Sequence, residues 1–495
     1  MVLRFRSPFR SSSICQSPSS KVNVLFLLAH LHNFTSSSSK NEVSYSFKKP
    51  LERSSLAKFL EENCPSGSFT LNEALYFFYY MINSKPLYPI SSFTTLFSAL
   101  AKKKHYYEVI SLYKLLNSTG LSPDFISLHI LMNCLCNIER VLDSFTVLGG
   151  ILKKGFSPNA MTFNYLIKGL CIERKIMESM ELFKKMIDVG CRANVVTYNT
   201  LIGGLCKTEK ISVAIKLLEE MVNGNKESGV ICRPNVVTYS IIIDGLCKAG
   251  LVEKARQLFL EHMIQRGVVP NIYTYNILMN GYCLADRIGD ANELFDSITR
   301  KGYRPDVVCY NTLINWYCKN KEVNEALSLY REMISEGIKP DVITYSTLLT
   351  GFFLIAKVKN ARNLVGEMRL NDVFPNSWIY SIFIDGLCKN GCVLEALEMF
   401  NTLVINKFAV GIEGLSSLID GLCKTGRFET AWDLFQKFCL NGNLVPNVVT
   451  YTILINGLCK NGQLEMANEL LSYMEEKVIL SKLLKLGPRL IVLER

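Results

Sequence analysis

The residues of this chain best equipped for covalent or metal chemistry are its 17 cysteines and five histidines, and their spacing supports neither kind. Nine cysteines (Cys136, Cys171, Cys206, Cys247, Cys283, Cys318, Cys388, Cys423 and Cys459) recur at a near-constant interval of about 35 residues or twice that. Zinc sites and disulfide frameworks draw on short, paired spacings, and no C-x-x-C occurs. Cys388 and Cys392 stand one helical turn apart, but no histidine lies near them to take a thiol proton. His30, His32, His105, His129 and His262 are scattered, and no metalloprotease, phosphate-loop or nucleophile-elbow motif is present. No catalytic residue, metal or cofactor is therefore expected. The nine cysteines read as small buried apolar side chains in a reducing compartment.

A quieter chemistry recurs at two fixed places. At the first stand Thr94, His129, Asn164, Asn199, Ser240, Asn276, Asn311, Ser346, Ser381, Ser416 and Thr452. At the second stand Asp124, Asn159, Asn194, Asn235, Asn271, Asp306, Asp341, Asn376, Gly411 and Asn447. These are short hydrogen-bonding side chains within otherwise apolar stretches or just before them. Helix capping accounts for half of the role of the Asp/Asn set. It does not account for the first set, because burying such groups unpaired would cost free energy. That set is expected to face a groove open to solvent or ligand.

The elements that must position these residues are short helices. Val307 to Asp341, VVCYNTLINWYCKNKEVNEALSLYREMISEGIKPD, reads as two of them. Val307, Tyr310, Leu313, Ile314 and Tyr317 recur at three-to-four spacing, as do Val323, Ala326, Leu327, Tyr330 and Met333 after a turn near Asn320. Gly337 is placed to stop the second helix in a left-handed cap, and Pro340 keeps it from resuming. Whole repeats begin at Ile90, Phe125, Ala160, Val195, Val236, Ile272, Val307, Val342, Ser377, Ile412 and Val448. The intervals are 35, 35, 35, 41, 36, 35, 35, 35, 35 and 36 residues, the longest carrying a polar insert around Asn223–Gly229. In this frame the two polar sets are the fifth and last places. Tyrosine recurs at the fourth place (Tyr198, Tyr239, Tyr275, Tyr310, Tyr345, Tyr380, Tyr451), where packing between helices outweighs base stacking. Alanine recurs at the twentieth (Ala214, Ala255, Ala291, Ala326, Ala361, Ala396, Ala431, Ala467), where two helices cross closely. Helices this short are marginal alone and need a neighbour. The fold expected over 90–480 is all-α, a right-handed α-solenoid superhelix of about eleven helix-turn-helix repeats.

The flanks differ in composition. Before Glu42, the first acidic residue, stand Arg4, Arg6, Arg10, Lys21 and Lys40 among many serines. That is the composition of an organelle transit peptide over 1–41, favoured over a secretory signal because Val22–Ala29 sits behind mostly polar residues. Residues 42–64 read as a linker, 65–89 as a degenerate partial repeat around Ala74, and 481–495 as an irregular basic and apolar tail. The five leader cations supply part of the formal +11 charge and leave +6 on the body, compatible with a polyanion but not diagnostic of one. No apolar run approaches the roughly 20 residues that span a bilayer.

The period, the stretch NVVTYNTLIGGLCK at Asn194–Lys207 and the P-N or P-D unit ends resemble the pentatricopeptide repeat family, and the uniform period its P class. KHYYEVISLYKLL (Lys104–Leu116) and the recurring GLCK are similar to restorer-of-fertility-like members of plant organelles. The resemblance covers about residues 65–480. It implies sequence-specific binding of single-stranded RNA, one nucleotide per repeat, read by fifth-place and last-place side chains. The implied role is post-transcriptional control of an organelle transcript, through stabilisation, processing or translation. Mitochondrial placement is expected, with the chloroplast as the alternative. The implied partners are single-stranded organellar RNA and a recruited nuclease or other RNA-processing protein. No membrane partner is expected, and the chain is expected to act as a monomer.

The implied code has a physical basis. An ionised last-place Asp only accepts, matching the ring N–H of uracil or guanine, whereas Asn can donate to the bare ring nitrogen of adenine or cytosine. A short fifth-place Ser or Thr leaves room for a purine, and Asn suits a pyrimidine. Thr94/Asp124 then reads G; Asn164/Asn194 and Asn199/Asn235 read C, less well U. Ser240/Asn271, Ser346/Asn376 and Ser416/Asn447 read A, while Asn276/Asp306 and Asn311/Asp341 read U. The implied site is 5′-G-N-Y-Y-A-U-U-A-N-A-3′. His129, paired with Asn159, has no standard meaning. Ser381 is followed by Gly411, which has no side chain to read with, and Glu413 replaces a base-sandwiching apolar residue. A gap or mismatch tolerance is therefore expected at the ninth nucleotide. Sandwiching falls to Met161, Val196, Val237, Tyr273, Val308, Ile343, Trp378 and Val449. Lys207, Lys248, Lys319, Lys389, Lys424 and Lys460 recur at the thirteenth place, as phosphate contacts or as solvated helix-end lysines. Two other readings stand beside this one: a tetratricopeptide-like peptide-binding scaffold, whose period would be 34, and a shortened non-functional copy.

Overall fold

The computed structural model describes residues 53–223, 232–406, 408, 410–440 and 444–475. The leader expected over 1–41, the insert after Asn223 and the tail at 481–495 lie outside the described residues. The chain divides into two compact units, Met1–Phe69 and Thr70–Arg495. Among the described residues every regular element is helical. None of these helices is long and apolar enough to cross a membrane. In the first unit the helix Arg53–Lys58 continues through a π turn, Phe59–Asn63, into Cys64–Ser66. The Phe59 and Phe69 rings meet edge-on at 5.7 Å.

The second unit is an α-solenoid. It opens with Leu71–Asn83, started by a capping box between Thr70 and Glu73. Repeats 1–11 follow, each with a 13-residue first helix: Ile90–Lys102, Phe125–Asn137, Ala160–Ile172, Val195–Lys207, Val236–Lys248, Ile272–Leu284, Val307–Lys319, Val342–Leu354, Ser377–Lys389, Ile412–Lys424 and Val448–Lys460. The bounds are set by side chains. The last-place residue of the preceding repeat caps nearly every first helix; Asn194 Oδ1, for example, accepts from the Thr197 N–H at 3.0 Å. After its thirteenth residue each first helix turns through a left-handed residue such as Lys321 (φ 64°), and the second helix begins. That helix, Val323–Ser335 in repeat 7, stops at left-handed Gly337 (φ 71°) before Pro340.

Packing runs between neighbours in sequence. The twentieth-place alanines are at most 4% exposed, which lets the two helices of a repeat cross closely. The fourth-place tyrosines are at most 5% exposed and lie against the preceding second helix. Phe183–Tyr198, Phe259–Tyr275 and Phe295–Tyr310 are edge-to-face ring pairs at 5.4, 5.5 and 5.1 Å. These rings pack the core and are not offered for stacking. Successive first helices touch where a tenth-place glycine meets the twelfth-place cysteine of the repeat before. A Cβ on Gly204 would stand 2.5 Å from Cys171 Sγ, and one on Gly245 would stand 2.7 Å from Cys206 Sγ. Repeat 8 carries Phe353 at the cysteine place, and its ring fills the space over Gly386.

Of the nine cysteines expected to be buried, Cys136, Cys247 and Cys318 are, and Cys171, Cys206, Cys283, Cys388 and Cys423 are partly covered. Cys459 is exposed, because no tenth-place glycine of a following repeat covers it among the described residues. The 36-residue interval of repeat 5 also has a local cause. Its second helix passes from Val252–Gln257 into a π segment, Leu258–Ile264, that takes up the additional residue before left-handed Gly267. Repeat 10, the other 36-residue unit, carries a π segment at Gln436–Leu440.

Candidate nucleic-acid interface

The second residue of a first helix points away from the core in repeat after repeat. Met161, Val196, Val237, Tyr273, Val308, Ile343, Trp378 and Val449 are all between 49% and 62% exposed. Eight large apolar side chains in one register thus leave about half of their surface uncovered by the described residues. Ile126, the second residue of repeat 2, is 60% exposed and belongs to the same row. Counting one place on from Phe125 would have found it in the sequence.

The fifth-place residues depart from expectation. Most are covered rather than open to solvent: Thr94, His129, Ser240, Asn276, Asn311, Ser346, Ser381 and Ser416 are 2–9% exposed, while Asn164 and Asn199 are half-buried and Thr452 is exposed. They are not unpaired either. The third-place threonine of the next repeat donates to the Asn164, Asn199 and Asn311 carbonyls at 2.7 Å from Thr197, Thr238 and Thr344. Ser240 and Ser416 share hydrogen bonds with Thr274 and Thr450 at 2.9 and 2.8 Å, and His129 Nε2 pairs with Thr162 at 2.8 Å. Burial lowers the pKa of His129. The partners stand about one repeat away in sequence, so a scan of neighbouring residues does not reveal them.

Fifth and last places of one repeat meet directly in three repeats. Asn276 Nδ2 donates to Asp306 and Asn311 Nδ2 to Asp341, both at 3.1 Å, and the Thr94 hydroxyl reaches Asp124 at 3.4 Å. The last-place side chains Asp124, Asn159, Asn194, Asn235, Asn271, Asp306, Asp341, Asn376 and Asn447 each accept from the backbone of the following helix. Burial pushes the Asp306 carboxyl up, but hydrogen bonds from the Cys309 N–H and Asn276 outweigh it and hold the group below its ordinary 3.8. At neutral pH Asp306 therefore only accepts. A cavity of about 360 Å³ brings the parts of one such site together, with Val237, Ser240, Asn271, Tyr273 and Lys248 in its wall.

The thirteenth-place lysines are all exposed. Lys248, Lys389 and Lys424 already pair with Asp244, Asp385 and Asp420 one turn back, at 2.6, 2.7 and 2.6 Å. Surface pairs of this kind are worth about 0.3–0.5 kcal/mol, so a phosphate can compete for the lysine. Repeat 9 is the break in the row: Gly411 offers no cap, and the Glu413 carboxylate lies where a side chain at 411 would stand. Among the described residues no group of three or more His, Cys, Asp or Glu could hold a metal ion.

A model of the PPR repeat family matches residues 158–207, 193–230, 234–284, 305–353, 412–460 and 446–480, and PPR repeat models match 91–121, 273–303 and 371–404. The chain is similar to two mitochondrial pentatricopeptide repeat-containing proteins of Arabidopsis thaliana. One is 35% identical over 82 residues, which is 17% of this chain and 13% of the relative. The other is 37% identical over 86 residues, 17% of this chain and 16% of the relative. The fold is similar to that of the pentatricopeptide repeat protein PPR10 in complex with an 18-nt psaJ RNA element. The TM-score is 0.56 at 20% identity, covering 85% of this chain and 60% of that one. The match thus spans less than two thirds of the length of each of these three proteins.

Proposed function

The chain belongs to the PPR repeat family, and from that premise we propose that its array binds single-stranded RNA with one nucleotide per repeat. The observation that carries the proposal is the hydrogen-bonded pairing of fifth and last places between exposed apolar second-place residues. A base entering between Val308 and Ile343 would lie over Asn311 and Asp341, stacked on both faces and read at its edge. The proposed site is 5′-G-N-Y-Y-A-U-U-A-N-A-3′, with the ninth position loose because of Gly411 and Glu413. The protein acts by occupying a transcript, controlling its stability, processing or translation, with a nuclease or other processing protein recruited where cleavage is the outcome. Relatives named as mitochondrial and a basic, serine-rich leader support work in the mitochondrion. The uniform period supports a P-class member, and KHYYEVISLYKLL at Lys104–Leu116 with the recurring GLCK supports the restorer-like group.

The test is a change of Asp306 and Asp341 to Asn. Asn caps about as well as Asp, so the helices should persist. Binding is measured at fixed salt against four RNAs with UU, UC, CU or CC at positions six and seven. The preference should move from U toward C by about tenfold per site, the scale of a directional base contact. Equal loss for all four RNAs would reduce these residues to caps. Binding of no RNA by a protein that melts cooperatively would favour the peptide-binding scaffold.

A further inference from the structure

Asn276/Asp306 and Asn311/Asp341 are the same pair of side chains in adjacent repeats, yet the structure holds them differently. In repeat 7 both ends of the Asn311 amide are engaged. Its Nδ2 donates to Asp341 Oδ1 at 3.1 Å, and its Oδ1 accepts from the Thr344 hydroxyl at 2.7 Å. Thr344 completes a closed ring, accepting from the Asp341 N–H at 3.2 Å and donating its own N–H to Asp341 Oδ1 at 2.9 Å. The hydroxyl carries one proton. It also lies 3.0 Å from Asp341 Oδ1, but that oxygen already takes two N–H donors, so the shorter 2.7 Å contact to Asn311 is the one that uses the proton.

In repeat 6 the ring is open. The third place of the following helix is Cys309, whose N–H still caps onto Asp306 at 3.0 Å but which has no hydroxyl to give. Asn276 is 7% exposed, and its Oδ1 has no hydrogen-bond partner among the described residues. Only the Nδ2 end of this amide is fixed, at Asp306. The serine readers divide in the same way. Ser240 is tied across the repeat boundary to Thr274 at 2.9 Å. After Ser346 the third place of the following helix is Ile379, which has no hydroxyl, and Ser346 donates back to Ile343 O of its own helix at 2.9 Å.

We propose that the third residue of each first helix is a positioning residue for the repeat before it, setting how strictly that repeat reads its base. Cys309 makes repeat 6 the permissive copy of two identical Asn/Asp readers, and Thr344 makes repeat 7 the strict one. The physical reason is that discrimination is a difference between matched and mismatched binding. An amide pinned at both ends keeps its remaining N–H where one base edge meets it, whereas one held at a single end can turn to meet a mismatch. The inference rests on the RNA-reading proposal above and names a residue that the fifth-and-last-place code does not contain.

The experiment compares affinities for RNAs that differ only by U or C at position six, or at position seven. In the wild type the U/C ratio at position seven should exceed that at position six by about threefold to tenfold, the span of one ordinary hydrogen bond. Cys309→Thr should raise the ratio at position six to that of position seven and leave position seven unchanged. Threonine fits the site, since Thr344 and Thr274 occupy the equivalent place fully buried. Thr344→Val should lower the ratio at position seven, and Thr344→Ser should restore it. Because a ratio is read, any general loss of stability from the weakened cap cancels. Equal ratios at the two positions in the wild type, or ratios unmoved by both Cys309→Thr and Thr344→Val, would overturn the inference and leave base reading intact. Absence of any U/C preference in the folded wild type would overturn base reading and the inference with it.

Discussion

A cysteine side chain reacts as its thiolate, so burial decides which thiols are open to chemistry. Burial pushes Cys206 and Cys423 up to about 11 and Cys247, Cys283, Cys318 and Cys388 up to about 12. At neutral pH these groups are protonated as well as covered. In the native protein at pH 7 a maleimide should label Cys459 fast and leave Cys247, Cys283 and Cys318 unmodified until denaturant is added. Peptide mapping by mass spectrometry reads the outcome, and fast native labelling of those three would refute their packing role. At this scale the sequence made the apolar use of cysteine legible, because one residue type kept one interval. It hid the pairing of Asn164 with Thr197, since a partner 33 residues away is visible only once the repeats are stacked.

Gly203 and Gly204 are adjacent in one helix and have opposite surroundings. A Cβ on Gly203 would come no closer than 3.8 Å to Ile241, whereas one on Gly204 would strike Cys171. Gly203→Ala should therefore stabilise the protein by up to about 1 kcal/mol through helix propensity. Gly204→Ala should destabilise it by about 1–3 kcal/mol through overpacking. Adding Cys171→Ala should recover part of that loss, a coupling that a double-mutant cycle in urea would measure. If both glycine variants are equally harmless, the first helices do not touch there. The two-helix unit was legible from its apolar spacing and its Gly-x-x-Pro ends. The π segment of repeat 5 was not, because an interval of 36 residues does not say whether the additional residue sits in a loop or in a helix.

For the whole array, contacts between sequence neighbours make stability a sum of repeat and interface contributions. Removing one complete period should then leave a folded protein. Deleting residues 307–341 joins Asp306 to Val342 in register and removes one of the two proposed uracil readers. The product should melt cooperatively and prefer a probe with a single U over the ten-nucleotide site. Tighter binding to the longer probe would refute one-nucleotide-per-repeat reading. The solenoid was legible at this scale because the period keeps phase through most of the chain, whereas the order of bases rests on the family resemblance.

The ring at Asn311, Asp341 and Thr344 crosses the border between two repeats, and that changes what a portable cassette would be. A transplant cut at the helix starts would carry the fifth-place and last-place letters and leave the third-place threonine with the host. The same two letters would then be spoken with a host-dependent accent, sharp before a threonine and slurred before a cysteine. The smallest cassette that keeps its own pronunciation runs from the first residue of one repeat to the third residue of the next.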